Sequence, residues 1–282
     1  MPPQFVDNHM HIDPINGEGI RAVKKFQNSG GGYIFLVTKF TASWNILLKD
    51  EESFKRLFQN TIFLADEIND KTEVKAFPVI GVHPAEFAHM CKTFSTDKAL
   101  EIGKKAMDIA CRYIREGQAV AIGEVGRPHY EVEEVVLSAC MELLRYTFKL
   151  TKDLDCAIQL HTESSTPEHF EEFNKLATTY GVRPSKVVKH YSPPLIKVGE
   201  KFGIFPSLIA SKENISHAIK EGNRFLMESD YIDDLKRPGA VVGPKSVPRV
   251  SQRLYEEEIL TEEDLWKIHK DNVEKVYGVS LD

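Results

Sequence analysis

The sequence predicts a (β/α)8 barrel, read as a single domain over residues 1–282. Three observations predict it. Eight short apolar runs alternate with longer stretches of helical periodicity. The repeating unit averages about 35 residues, the length such a barrel needs. The first apolar run ends in His9-Met10-His11, not in the glycine-rich turn that opens a doubly wound sheet.

The strands are expected at Phe5–His9, Gly32–Thr38, Val74–Val82, Ala119–Glu124, Cys156–His161, Lys186–His190, Gly203–Leu208 and Arg224–Glu228. Most are nearly continuous apolar runs, as parallel strands buried on both faces require. Helical spacing covers Ile20–Ser29, Phe54–Asp70, Asp97–Glu116, Glu133–Leu154, Pro167–Tyr180, Ser192–Phe202 and Lys212–Glu221. Ser192-Pro193-Pro194 reads as a helix start. The last helices are expected over Ser246–Glu258 and Thr261–Tyr277, the second opened by a Thr261–Asp264 capping box. Between strand 8 and these helices, Tyr231–Pro248 is expected to be a long loop rich in proline and glycine, of the kind that is usually functional or mobile.

Hydrophobic content of 42% with 28% charged residues is that of a globular domain. No run of ~18 apolar residues and no basic-then-apolar leader is present, so a cytoplasmic protein without a membrane span is expected. Cys91, Cys111, Cys140 and Cys156 show no C-x-x-C pairing and read as small buried hydrophobes. The net charge of −6 argues against binding nucleic acid by bulk attraction, but allows a small basic lip at a site.

A strand places residues i and i+2 on one face, so His9 and His11 point the same way and can grip one metal ion. The later strand ends add to the pair. They carry Lys39, His83 in Gly81-Val82-His83-Pro84, Glu124 in Gly123-Glu124-Val125-Gly126, His161, His190, and Asp230 after Glu228-Ser229. A barrel brings all of them to one mouth. Imidazole and carboxylate are the ligands of zinc and its first-row neighbours. The remaining histidines, His89, His129, His169, His217 and His269, fall in helices or loops and are expected in solvent; His129 lies close enough to Glu124 to touch substrate.

These motifs, taken in order, resemble the TatD-like branch of the metal-dependent hydrolases. The resemblance spans the chain, as far as a closing helix at Asn272-Val273-Glu274-Lys275-Val276-Tyr277-Gly278. It implies that His9, His11 and Asp230 bind one divalent metal, and that His161 and His190 bind a second, with Glu124 bridging. Zinc is the first choice, with Mn, Fe, Co, Ni or Mg as alternatives. Asp230 and Glu124 are the catalytic candidates, Asp230 as the group that accepts a proton from water. His83 is cast as a support of the centre or a substrate contact, and Lys39, Arg127, Lys189 and Lys212 as holders of an anionic group. Two departures from the family pattern, Arg127-Pro128 after the strand 4 motif and Tyr231-Ile232-Asp233-Asp234 after Asp230, touch the substrate mouth rather than the ligand set.

The activity the resemblance implies is hydrolysis of phosphodiesters, either DNA ends or a small phosphodiester. An amide, lactone or acyl-ester hydrolase is the alternative, since the same metal pair polarises carbonyl and phosphoryl oxygens. A barrel that binds metal without catalysis is the alternative from another class.

Overall fold

The computed structural model describes residues 2–281. It is a barrel of parallel strands wrapped by helices. The elements in chain order are β1 (Phe5–His11), α1 (Ile20–Gln27), β2 (Gly31–Val37), α2 (Glu51–Lys71), β3 (Lys75–Ile80), α3 (Pro84–Thr93), α4 (Thr96–Arg115) and β4 (Ala121–Gly126). There follow α5 (Glu134–Thr151), β5 (Ala157–His161), α6 (Pro167–Thr179), β6 (Val187–Lys189), α7 (Ile196–Phe202), β7 (Phe205–Ile209), α8 (Lys212–Ala218), β8 (Leu226–Glu228) and β9 (Tyr231–Ile232). The chain ends in α9 (Ser246–Glu256), α10 (Glu262–Trp266) and α11 (Asn272–Tyr277).

Neighbouring strands pair in the order β8-β7-β6-β5-β4-β3-β2-β1-β9, all parallel. The eighth stave is broken in two. Its first half, β8, pairs with β7, and its second half, β9, pairs with β1 through Met10↔Tyr231 and His11↔Ile232. The break falls at Asp230, which sits at φ 46° and donates its backbone N–H to His9 O at 3.0 Å. Aspartate is one of the few residues that tolerates this left-handed region. The barrel therefore closes at the residue that the sequence assigns to the metal.

Inward residues Val6, Phe35, Val79, Ala121, Ala157, Val188, Phe205 and Leu226 fill the barrel. Its lower end is plugged by α11, whose Val273, Val276 and Tyr277 join that core, with the Tyr277 ring 3.8 Å from that of Phe35. Outward residues pack under the helices. The four cysteines are free and buried, as expected.

Several boundaries differ from expectation. Helix α3 falls between expected elements; Pro84 occupies its first turn and His83 Nδ1 accepts the Ala85 N–H at 3.0 Å as a cap. Helix α7 begins at Ile196, not at Ser192, because each proline holds the residue before it extended. The stretch after strand 8 is shorter and better tied than a free loop: β9 opens it, α9 takes over at Ser246, and the Asp233 carboxylate accepts the N–H groups of Asp13, Glu18 and Gly19. The last helix is interrupted by one π turn over Lys267–Asp271. That turn buries His269, contrary to the solvent exposure expected of it. Its Nδ1 accepts the Val6 N–H at 3.2 Å and its Nε2 lies 2.9 Å from Ser251 Oγ.

Candidate metal centre

Strand β1 runs through the barrel wall with every residue buried, and its Cα geometry carries His9 and His11 to the mouth. Their Nε2 atoms lie 3.2 Å apart. Glu124 Oε2 stands 3.4 Å from the first and 3.5 Å from the second. Asp230 Oδ1 completes this group at 3.9 and 3.5 Å. The other oxygen of Glu124 faces a second set. Oε1 is 2.7 Å from His161 Nδ1, 3.5 Å from His190 Nε2 and 3.7 Å from His83 Nε2. Glu124 thus divides its two oxygens between two clusters of imidazoles.

The tight backbone around Glu124 explains its glycines. A Cβ on Gly126, at φ 146°, would sit 2.2 Å from His161 O, and one on Gly123 would sit 2.8 Å from Gln159 Cβ. Neither neighbour has room to retreat, so the strands approach this closely only with glycine there.

The tautomers of the first pair follow from their partners. His11 Nδ1 lies 3.1 Å from Val37 O, which accepts only, so Nδ1 carries the proton and Nε2 presents a lone pair. His9 Nδ1 lies 2.8 Å from Gln159 Oε1. The amide end of Gln159 is spent on Asn8 O and Tyr277 Oη, at 3.0 and 2.8 Å, so its oxygen accepts from His9. Two bare imidazole nitrogens then face each other and a carboxylate inside a buried pocket. Those three lone pairs repel unless a cation lies among them. Without a metal, a proton on His9 answers that repulsion: burial would lower the His9 pKa, but the charge of Glu124 outweighs it and raises it to about 9. The donor set therefore fits a divalent metal of the zinc and first-row class.

Burial and the surrounding imidazoles push His83 down to about 3, so it is neutral, while Glu124 is held well below the usual carboxylate range by His83, His9 and His161 against its burial. Beneath this layer lies Glu228. Burial would raise its pKa, yet His190 and His9 bring it to about 2. Its oxygens accept Tyr191 N–H at 2.7 Å and Ser207 O–H at 2.5 Å. His190 Nδ1 is 2.9 Å from Glu228 Oε1, off the line of a hydrogen bond. Asp7 is raised to about 7 by burial, and its Oδ2 has no partner.

All six residues assigned to metal meet at the mouth: His9, His11, Glu124, His161, His190 and Asp230. His83, expected to support the centre or touch substrate, lies beside Glu124 and His161 and also lines the cavity. The four cations behave differently. Lys39 lines the mouth, its Nζ 2.7 Å from Asp13 Oδ2 and 3.1 Å from Asp233 O. Arg127 turns away and forks onto Glu163 and Glu172, with five contacts of 2.6 to 3.1 Å. Lys189 is buried outside the strand layer, where its Nζ donates to the carbonyls of Thr162 and His190. Burial lowers its pKa to about 8. Lys212 pairs with Glu257 on the outer surface at 2.6 Å. In their place Arg237 lines the mouth, from a segment that sequence reading treated as loop. The cavity over the cluster measures 290 Å³ and is walled by Phe40, Ala85 and Ile232 as well as by His11, Glu124, His161, His190 and Asp230.

Gln159, Glu228 and Arg237 went unassigned in the sequence. The signal for the first two was present: each lies two residues before an assigned ligand, on the same strand or its continuation, and so on the same face. Arg237 carried no such signal.

Residues 6–278 match the family model described as TatD related DNase. The chain belongs to that family. An uncharacterized protein of Methanocaldococcus jannaschii is 44% identical over 284 residues, covering 98% of this chain and 96% of its own. The TatD homologue YjjV of Escherichia coli K12 superposes with a TM-score of 0.65 at 18% identity, over 99% of this chain and 100% of that one. An organophosphorus hydrolase from Deinococcus radiodurans gives 0.65 at 12% identity, over 98% of each chain. At such identities these two structures speak for the barrel alone, whereas the family match makes the TatD-related chain a hydrolase. No helix among the described residues is long and apolar enough to cross a membrane.

Proposed function

We propose that this TatD-related hydrolase is a cytoplasmic, metal-dependent phosphodiesterase acting on DNA ends or a small phosphodiester. The observation that carries the reading is the division of Glu124 between two imidazole clusters, Oε2 toward His9 and His11, Oε1 toward His161, His190 and His83. His9, His11, Asp230 and Glu124 would hold one divalent ion, and Glu124, His161 and His190 a second. Bound there, such ions lower the pKa of water and polarise a phosphoryl oxygen.

The residues of the chain supply the rest. Asp230 Oδ1 reaches the cavity and accepts the proton of the attacking water. Gln159 fixes the His9 ring, and Val37 O fixes the His11 ring. Lys39 and Arg237 stand on the rim, where they meet the charge of an anionic substrate. The family description favours a phosphodiester. The apolar walls at Phe40 and Ile232 favour the carboxylic ester or lactone reading.

A paired assay tests the choice. Metal-loaded protein is given a short single-stranded oligonucleotide, an aryl phosphodiester and an aryl carboxylic ester under one metal and one salt. Turnover of the two phosphodiesters supports the proposal. Turnover of the carboxylic ester alone overturns it.

A further inference from the structure

A second cavity, of 410 Å³, lies beside the catalytic one. The turn after β2 and one side of α3, from Ala85 to Thr93, build it. Phe40 and Ala85 line both cavities, so the two share a wall. Ile46, Leu47 and Leu48 make the new cavity apolar. Thr41, His89 and Thr93 add polar groups to that lining, and Glu86 adds a carboxylate. Glu86 is only 8% exposed. Its Oε1 accepts the Thr41 N–H at 2.9 Å and the Thr41 hydroxyl at 2.5 Å. Its Oε2 has no partner among the described residues.

Oε2 is not sealed from water; it keeps contact with solvent at the wall of the slot that Glu86 lines, where a ligand donor can replace that water. An alkyl or acyl group in that slot would strip water from Oε2 and give nothing back. A flat ring with an amine on its edge does better. Its faces pack against apolar and aromatic walls, and its amine donates to the oxygen. Carboxylates accept in this way from the exocyclic amine of cytosine, and aromatic side chains stack bases of any sequence.

We propose that this slot holds the nucleobase next to the scissile phosphodiester, with Glu86 Oε2 accepting a hydrogen bond from the exocyclic amine of the base. The proposal rests on the phosphodiester reading given above. Adenine, cytosine and guanine carry such an amine. Thymine presents a carbonyl instead, which a carboxylate repels.

The test is calorimetric binding of dAMP, dCMP, dGMP, dTMP and deoxyribose 5-phosphate to the full chain, with a parallel cleavage assay on abasic and base-bearing oligonucleotides. The amine-bearing nucleotides are expected to bind on the order of tenfold tighter than dTMP, the effect of one hydrogen bond to a charged group. Glu86→Gln, which turns an amide N–H toward the slot, is expected to reverse that order. Ala42→Trp, which fills the slot from its exposed rim, is expected to bring every nucleotide to the level of deoxyribose 5-phosphate. Equal binding of dTMP, or an unchanged order in Glu86→Gln, overturns the hydrogen bond. Unchanged binding in Ala42→Trp overturns the slot. Cleavage of abasic and base-bearing oligonucleotides at equal rates overturns the slot and leaves the phosphodiester reading standing. Base-selective binding with no cleavage of any oligonucleotide supports the slot and overturns the phosphodiester reading.

Discussion

His9 Nδ1 donates to Gln159 Oε1 at 2.8 Å, and this bond decides which nitrogen of His9 faces Glu124. Gln159 is itself pinned by Asn8 O and Tyr277 Oη, so the orientation of the ring is transmitted from the floor of the barrel. Gln159→Leu keeps the volume and removes the bond. Metal affinity is expected to fall by about 10- to 100-fold, as for other partners of metal-binding histidines. A metal titration measures it, and retention of full affinity would assign the orientation of His9 elsewhere.

Asp230→Asn separates binding from proton transfer. The amide oxygen still coordinates weakly but takes no proton. Turnover is expected to drop by roughly 10²- to 10⁴-fold while metal content falls far less. Single-turnover rates beside elemental analysis give both quantities. Near-wild-type turnover would remove Asp230 as the proton acceptor.

Added metal should stabilise the fold. At a free concentration of about 1,000 times Kd the gain is roughly 4 kcal/mol, which for a chain of this size raises Tm by roughly 10 °C. Chelation should reverse the shift and abolish hydrolysis. Differential scanning calorimetry with zinc, manganese and cobalt ranks the ions, and no shift with any of them would count against the centre.

The buried His269 gives a pH signature remote from the metal. Burial lowers its pKa to about 3, whereas the unfolded chain titrates near 6.5. Between those values the unfolded state binds the extra proton, so stability falls as pH drops from 6.5 toward 3. One such group contributes a slope of about 1.4 kcal/mol per pH unit. His269→Gln is expected to flatten the curve by that amount relative to wild type, as read by urea melts. Parallel curves would mean that the site accepts the charged ring.

The cations divide into structural and substrate-facing groups. Arg127→Gln is expected to lower Tm, since it leaves Glu172 unpaired and Glu163 with His169 alone, with little change in KM. Arg237→Ala is expected to raise KM for an anionic substrate severalfold with Tm unchanged, because Arg237 lines the mouth and its side chain pairs only with Asp234 among the described residues. The opposite pattern would exchange their roles.

Local rules made the barrel, and the meeting of imidazoles and carboxylates at its mouth, legible. Apolar runs at even spacing gave the strands, and the i,i+2 rule gave the shared face of His9 and His11. The cations were not legible, because closeness to a strand end in sequence says nothing about direction. Arg127 and Lys189 each lie within a few residues of a ligand, yet one points to α6 and the other behind the strand layer. The burial of His269 depends on a π turn that no periodicity announces. Helix α3 was hidden because its cap is a histidine that the sequence offered first as a site residue.

The broken eighth stave gives the candidate centre a second meaning. Residues 9 and 230 meet only when the two ends of the barrel wall meet, and their backbone bond lies on that seam. An ion gripped by both side chains would act as a clasp. It would hold the first and last strands together and resist any opening that begins where the wall is joined. A nascent chain could not assemble that clasp before β9 had left the ribosome. Fragments lacking the last fifth of the sequence are therefore expected to leave His9 and His11 without Asp230, the partner that locks the seam.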